Sequence, residues 1–185
     1  MNKTLLLLIP VLTLLLSACQ PSGSSEEHTE ALLEIAERGD LTALNALLKP
    51  NTQVNVRDSC DWTPLMKAAL QGHAPVVARL LDAGAAIDAQ DNGGYTAMML
   101  AASNNHAAIV ATLLEHGAMI DHQEATKGWT ALGWAAGKGH VETVELLLQQ
   151  GADRTLKDFD GLTPAEHARA AGHETLAERL SPSGA

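Results

Sequence analysis

Aromatic residues are scarce in this chain of 185: Phe, Trp and Tyr together make up 3% of it. A core without large rings has to be filled by Ala, Leu, Val and Ile, in helices that approach closely through small residues. Cysteine is scarcer still, with Cys19 and Cys60 alone, which excludes a disulfide framework and leaves stability to packing. Basic residues are outnumbered, 12 Lys and Arg against 22 Asp and Glu, for a formal net charge of −10. That balance argues against nucleic acid or anionic head-groups as the main partner. The catalytic motifs that carry their own geometry are missing too: there is no Ser in a nucleophile-elbow setting, no H-E-x-x-H and no Gly-rich phosphate loop. What is present, 46% hydrophobic and 18% charged residues, is the composition of one folded globular unit.

The chain opens with MNKTLLLLIPVLTLLLSAC: one Lys, an apolar run over residues 5–16, then small residues, the order of an export signal. The run is too short for the ~20 residues that span a bilayer as a helix, so a permanent transmembrane anchor is the weaker reading. Leu16-Ser17-Ala18-Cys19 resembles a bacterial lipobox, where lipoproteins are cleaved before a Cys that carries the lipid. The resemblance implies a signal peptide over residues 1–18 and a mature chain beginning at lipidated Cys19, anchored in the cell envelope and facing the periplasm. Gln20, in place of an Asp, favours the outer membrane over the inner. An ordinary signal peptide with a coincidental Cys is the alternative. Residues 20–28, QPSGSSEEH, are too polar to bury and read as a flexible tether reaching at most ~30 Å when extended. Loss of Lys3 with the signal takes the net charge from −10 to −11.

The rest of the chain repeats itself. Thr63, Thr96, Thr130 and Thr163 are separated by 33, 34 and 33 residues, and His73, His106, His140 and His173 keep the same spacing. Gly84, Gly117 and Gly151 follow suit. Each copy reads as two short helices and an extended finger. In WTPLMKAAL, Thr63 is placed to cap a helix with Pro64 in its first turn, and Gly72 ends it. Val76, Val77, Leu80 and Leu81 then form a second helical stripe, which Gly84 stops before turn residues lead to the next copy. The Ala pairs 68–69, 101–102 and 135–136 fall where successive helices approach.

This grammar strongly resembles the ankyrin repeat, a unit of about 33 residues with a T-P-L-H-x-A-A, G-H and G-A-D pattern. The resemblance covers residues 28 to about 182 and implies an all-α solenoid with β-hairpin-like fingers. Its parts are an N-terminal cap over 29–60, repeats over 61–93, 94–127 and 128–160, a C-terminal cap over 161–182 and a tail, 183–185. At the start, Asn51 stands in the Gly column, the next best residue in a left-handed conformation. At the end, Thr163 and Glu166 make a capping box.

Departures from the pattern locate candidate function. The structural histidine of T-P-L-H is replaced by Met66, Met99, Gly133 and Glu166, so the inter-repeat bond of that histidine cannot form. Ala97 and Ala131 stand in place of Pro, and the third finger, with EATKG, has one extra residue and should be longer or bulged. Immediately before the Thr column stand Trp62, Tyr95, Trp129 and Leu162. Repeats stack at ~8–10 Å, so these side chains should form a stripe, which Trp134 either extends or leaves for the core. Large aromatics are the side chains most enriched in binding hot spots; the competing reading is that they cover the base of the neighbouring finger. Charged residues accompany them at the turns: Asp58, Asp61, Asp91, Glu124, Lys127, Asp158 and Asp160.

The family resemblance implies a concave binding surface and a non-enzymatic role. The expected partner is a protein with basic and apolar contact groups, bound as an adaptor or scaffold or, alternatively, as a toxin neutralised by an immunity-type inhibitor. A different class would be a thiol protein using Cys60 or a metal carrier using histidines. One His per repeat, ~8–10 Å apart, cannot share a Zn²⁺ whose ligands sit within ~2.1 Å of it. The His column is therefore read as loop residues with local hydrogen bonds, with His116, His122, Asp121 and Glu124 as a faint metal possibility. No cofactor is expected.

Overall fold

The computed structural model describes residues 23–181; the signal-like segment, Cys19 and residues 182–185 lie outside the described residues. Among the described residues there are ten α-helices and no strand: α1 (Gly23–Arg38), α2 (Leu41–Leu47), α3 (Pro64–Gln71), α4 (Ala74–Asp82), α5 (Ala97–Ser103), α6 (Ala107–Glu115), α7 (Ala131–Lys138), α8 (Val141–Gln149), α9 (Pro164–Ala170) and α10 (Glu174–Leu180). None of these is long and apolar enough to cross a membrane. The odd-numbered helices stack on one another as an inner layer, and each even-numbered helix packs on the inner helix that precedes it. The Ala pairs 68–69, 101–102 and 135–136 are fully buried in the inner layer, which lets neighbouring backbones approach with only a methyl group between them.

Each inner helix after α1 begins in the same way. The hydroxyls of Thr63, Thr96, Thr130 and Thr163 accept from the backbone N–H of Met66, Met99, Gly133 and Glu166 at 3.1–3.4 Å, satisfying a donor that the helix leaves open. Glu166 closes the expected capping box by accepting from Thr163 N at 2.7 Å. Met66 performs the reciprocal part in α3, its sulfur 3.4 Å from Thr63 N. α1 differs from the sequence reading: it begins at Gly23, inside the stretch expected to be a flexible tether. At 1.5 Å per residue, the helical part of that stretch has less than half the reach of an extended chain.

The Gly-His column has a larger role than the local one expected of it. His73 Nε2 lies 2.9 Å from the Glu37 carbonyl, His106 Nε2 3.1 Å from that of Leu70, and His140 Nε2 3.1 Å from that of Ser103. In each case the ring of one repeat donates to an open carbonyl in the last turn of the preceding inner helix, a capping bond made across the repeat boundary. The glycine ending that helix makes room for the ring. Gly72 has φ +83°, and a Cβ added there would lie 2.7 Å from the His106 ring; Gly139, at φ +75°, stands in the same relation to His173. Asn105 (φ 59°) occupies this position at one boundary, and its Oδ1 accepts from the buried Thr143 hydroxyl at 2.9 Å.

Gly72 and His106 should therefore be energetically coupled. His106→Ala is expected to destabilise the fold by about 1–2 kcal/mol through the orphaned Leu70 carbonyl. Gly72→Ala is expected to cost more than the ~1 kcal/mol of its left-handed backbone alone, but only that smaller amount once His106 is Ala. Urea unfolding of the four species of the double-mutant cycle measures the coupling.

Candidate functional site

The fingers connect each outer helix to the next inner helix, and an acidic side chain folds each one. Asp58 Oδ1 accepts from the backbone N–H of Cys60 and Trp62 at 2.9 and 3.0 Å. Asp91 does the same for Gly93 and Tyr95 at 2.8 and 2.9 Å, and Asp158 for Asp160 and Leu162 at 3.0 and 2.8 Å. Each tip is closed by a backbone bond from the acidic residue to the carbonyl of the residue before the capping Thr, as from Asp91 N to Tyr95 O at 3.1 Å.

The third finger has the extra residue, and Glu stands there in place of Asp. Glu124 Oε1 accepts from Lys127 N at 2.8 Å and Trp129 N at 3.1 Å, while Oε2 accepts from Thr126 N at 2.6 Å. One additional methylene lets the carboxylate reach across one additional residue. Burial alone would raise the Glu124 pKa, but the bonds from Thr126, Trp129 and Lys127 outweigh it and hold the carboxyl below its ordinary value. Asp58 and Asp158 are lowered against the same opposing effect of burial, by their backbone bonds and by Lys67 and His167 respectively.

Neighbouring fingers are braced to one another. Asn92 N donates to Cys60 O at 3.3 Å, Ala125 N to Gly93 O at 2.9 Å, and Phe159 N to Lys127 O at 2.9 Å. Arg57 reaches the Gln90 carbonyl at 2.7 Å, and Gln123 that of Lys157 at 2.9 Å. The fingers thus share single sheet-like bonds without forming a strand among the described residues.

On this frame the aromatic column becomes a ladder. Trp134 lies between Tyr95 and Trp129, with ring centroids 5.7 and 4.6 Å away, and Trp129 stacks against His167 at 4.0 Å. Trp134 therefore joins the stripe while also packing against the core, and all three aromatics stay half-buried. His167 is itself buried, with Nε2 2.8 Å from Asp158 Oδ2. Trp62 stands apart at the first finger, with Lys67 Nζ 5.7 Å from its ring, and Lys127 Nζ lies 5.5 Å from the Trp129 ring. At the last finger Leu162 and Phe159 are exposed, Phe159 to 65%. The Phe159 ring lies over Gly128, where a Cβ would meet it at 2.6 Å. Sequence reasoning missed Phe159 because it stands outside the Thr-aligned column; its being one of only five aromatics was the available signal.

The charged members of the expected site take different roles. Glu124 has no exposed surface and folds its turn instead of presenting charge, whereas Asp91 commits one oxygen to its finger and stays half-buried. Asp61 occupies the left-handed position, φ 63°, that Gly94, Gly128 and Gly161 hold in later fingers, and is half-buried. Lys127 and Asp160 remain exposed. The four residues of the faint metal reading take separate partners: His116 meets Thr112 O at 2.8 Å, His122 meets Gly94 O at 3.1 Å, Asp121 accepts from Asp153 N at 2.9 Å, and Glu124 holds its own finger. Cys60 is exposed on the first finger.

Because the Glu124 pKa is depressed in the folded state, its contribution to stability is complete above the unfolded value, about pH 4.5, and is lost as pH falls through the folded value. Glu124→Gln should lower Tm at pH 7 and flatten the fall of Tm below about pH 4.5, read by thermal melts across that range.

A family model described as ankyrin repeats (3 copies) matches residues 32–124 and 119–185. No curated protein matches the chain. The two family matches together run from the first inner helix to the last outer one, over the same Thr caps, buried Ala pairs and acid-folded fingers, and the protein belongs to the ankyrin-repeat family.

Proposed function

We propose that this chain is a non-enzymatic protein-binding module held at a bacterial envelope membrane by lipid on Cys19, facing the periplasm and binding a resident protein there as an adaptor. Ankyrin repeats are in general protein–protein interaction modules, typically without enzymatic activity. The observation that carries the reading is the half-buried ladder Tyr95–Trp134–Trp129 on a braced row of fingers, ending at exposed Phe159 and Leu162. Aromatic side chains already held in place lose little conformational freedom on binding, which is why such residues dominate interfaces. Lys127 beside Trp129 and Asp160 beside Phe159 supply polar contacts at its edge. The outer membrane is favoured, since Gln20 follows the Cys.

Affinity capture from the native envelope fraction tests the binding role. Phe159→Ala with Leu162→Ala touches exposed side chains, so Tm should hold within the small effect typical of surface changes while partner recovery drops about tenfold or more. Recovery unchanged in this folded variant, or no specific partner with the wild-type chain, would overturn it. Palmitate labelling and mass spectrometry of the mature N-terminus test the anchor. The expected product begins at lipidated Cys19, and a free amine on an unmodified Cys19 overturns the lipid assignment.

A further inference from the structure

α1 is twice the length of its counterparts, 16 residues against 7 or 8 in the other inner helices. It walls a groove of about 590 Å³ against the first finger and Lys67 of α3. Glu26, Glu30, Glu34 and Glu37 all line this groove, and their spacing of three or four residues sets them on one helix face about 5–6 Å apart. Leu33, only 8% exposed, lies between them as an apolar floor.

The charge in the groove is not balanced from within. Glu34 pairs with Arg38 at 3.1 Å, and Lys67 is shared between Glu37 at 3.4 Å and Asp58 at 3.3 Å. Glu26 and Glu30 have no ion-pair partner among the described residues. Lining carboxylates number five, counting Asp58, against two cations, Arg57 and Lys67. The Arg57 guanidinium is already bonded to the carbonyls of Asp61 and Gln90.

We propose that this groove docks a basic segment of a protein partner, one that presents Lys or Arg side chains about 6 Å apart around an apolar residue. That spacing is one turn of a helix, i to i+4, so an amphipathic helix lying along α1 would set cations against Glu26 and Glu30 and an aliphatic side chain over Leu33. A second copy of this chain does not fit the description: it has 12 Lys and Arg, none of them four residues apart, and the one pair three apart, Arg154 and Lys157, lies outside the helices. The inference rests on the protein-binding reading and assigns it a second contact region, at the opposite end of the stack from Phe159.

The test uses the full chain and a fluorescein-labelled helical peptide of Leu and Lys with Lys at i, i+4 and i+8, read by anisotropy. A matched peptide with Glu for Lys and the small polycation spermine are the other arms. Expected results are binding of the Lys peptide that weakens as salt rises, no binding of the Glu peptide, and affinity about five- to tenfold lower in Glu26→Gln/Glu30→Gln with Tm unchanged. Undiminished binding by that variant overturns the groove. So does displacement by spermine at equal concentration, which would make the groove a small-cation site, or self-association of the wild type that the variant abolishes. Envelope capture that needs Phe159 and Leu162 but ignores Glu26→Gln/Glu30→Gln overturns the groove alone, whereas failure of wild-type capture overturns both readings.

Discussion

A histidine ring reaching back to the open carbonyl end of the preceding inner helix sets the spacing of the stack. A short helix leaves its last carbonyls without intrahelical partners, and with inner helices of 7 or 8 residues after α1 those ends make up much of each unit. His73, His106 and His140 close them from the next repeat, so α1, α3 and α5 are not finished until the next repeat is in place. The buried Ala pairs depend on the same spacing, because a methyl-to-methyl interface tolerates little variation in distance. Stability in such a stack is a sum of neighbour contacts, and at the first three boundaries each contact joins a directional bond to an apolar one.

The row of fingers inherits its rigidity from this arrangement. A finger leaves an outer helix and enters an inner one, so its two ends are fixed by the stack, and its acidic residue fixes the turn between them. The repertoire adapts by single groups: Glu124 in place of Asp where the loop is one residue longer, Asp61 in a position held elsewhere by glycine. Bracing bonds between neighbours then hold the tips together. The aromatic ladder is therefore presented in fixed geometry, with Trp134 filling the gap that the stacking distance would otherwise leave between Tyr95 and Trp129.

Much of the fold was legible in the residues. The Thr caps, the Gly stops, the Ala pairs and the extra residue of the third finger follow from a period repeated four times, since each copy confirms the others. The site was legible only in part. Trp62, Tyr95, Trp129 and Leu162 stand in one column of the sequence, but the column could not say that Trp134 from a different position would join it. Acidic turn residues look alike in sequence whether they face water or fold the turn, and Glu124 proved to do the latter. Phe159 and the long α1 were missed because neither obeys the period.

The sequence by itself determined the unit, its length, its helix starts and stops, and the fact that units must stack, because these rest on local chemistry and on apolar stripes that one copy cannot bury alone. Tertiary structure decided which polar groups are consumed between units and which remain on the surface. The carbonyl that meets His106 is 36 residues away, and no local rule relates the two. Only when the helices are stacked does the distance between a ring, a carbonyl and a carboxylate become fixed, and with it the difference between a residue that holds the scaffold and one left on the surface.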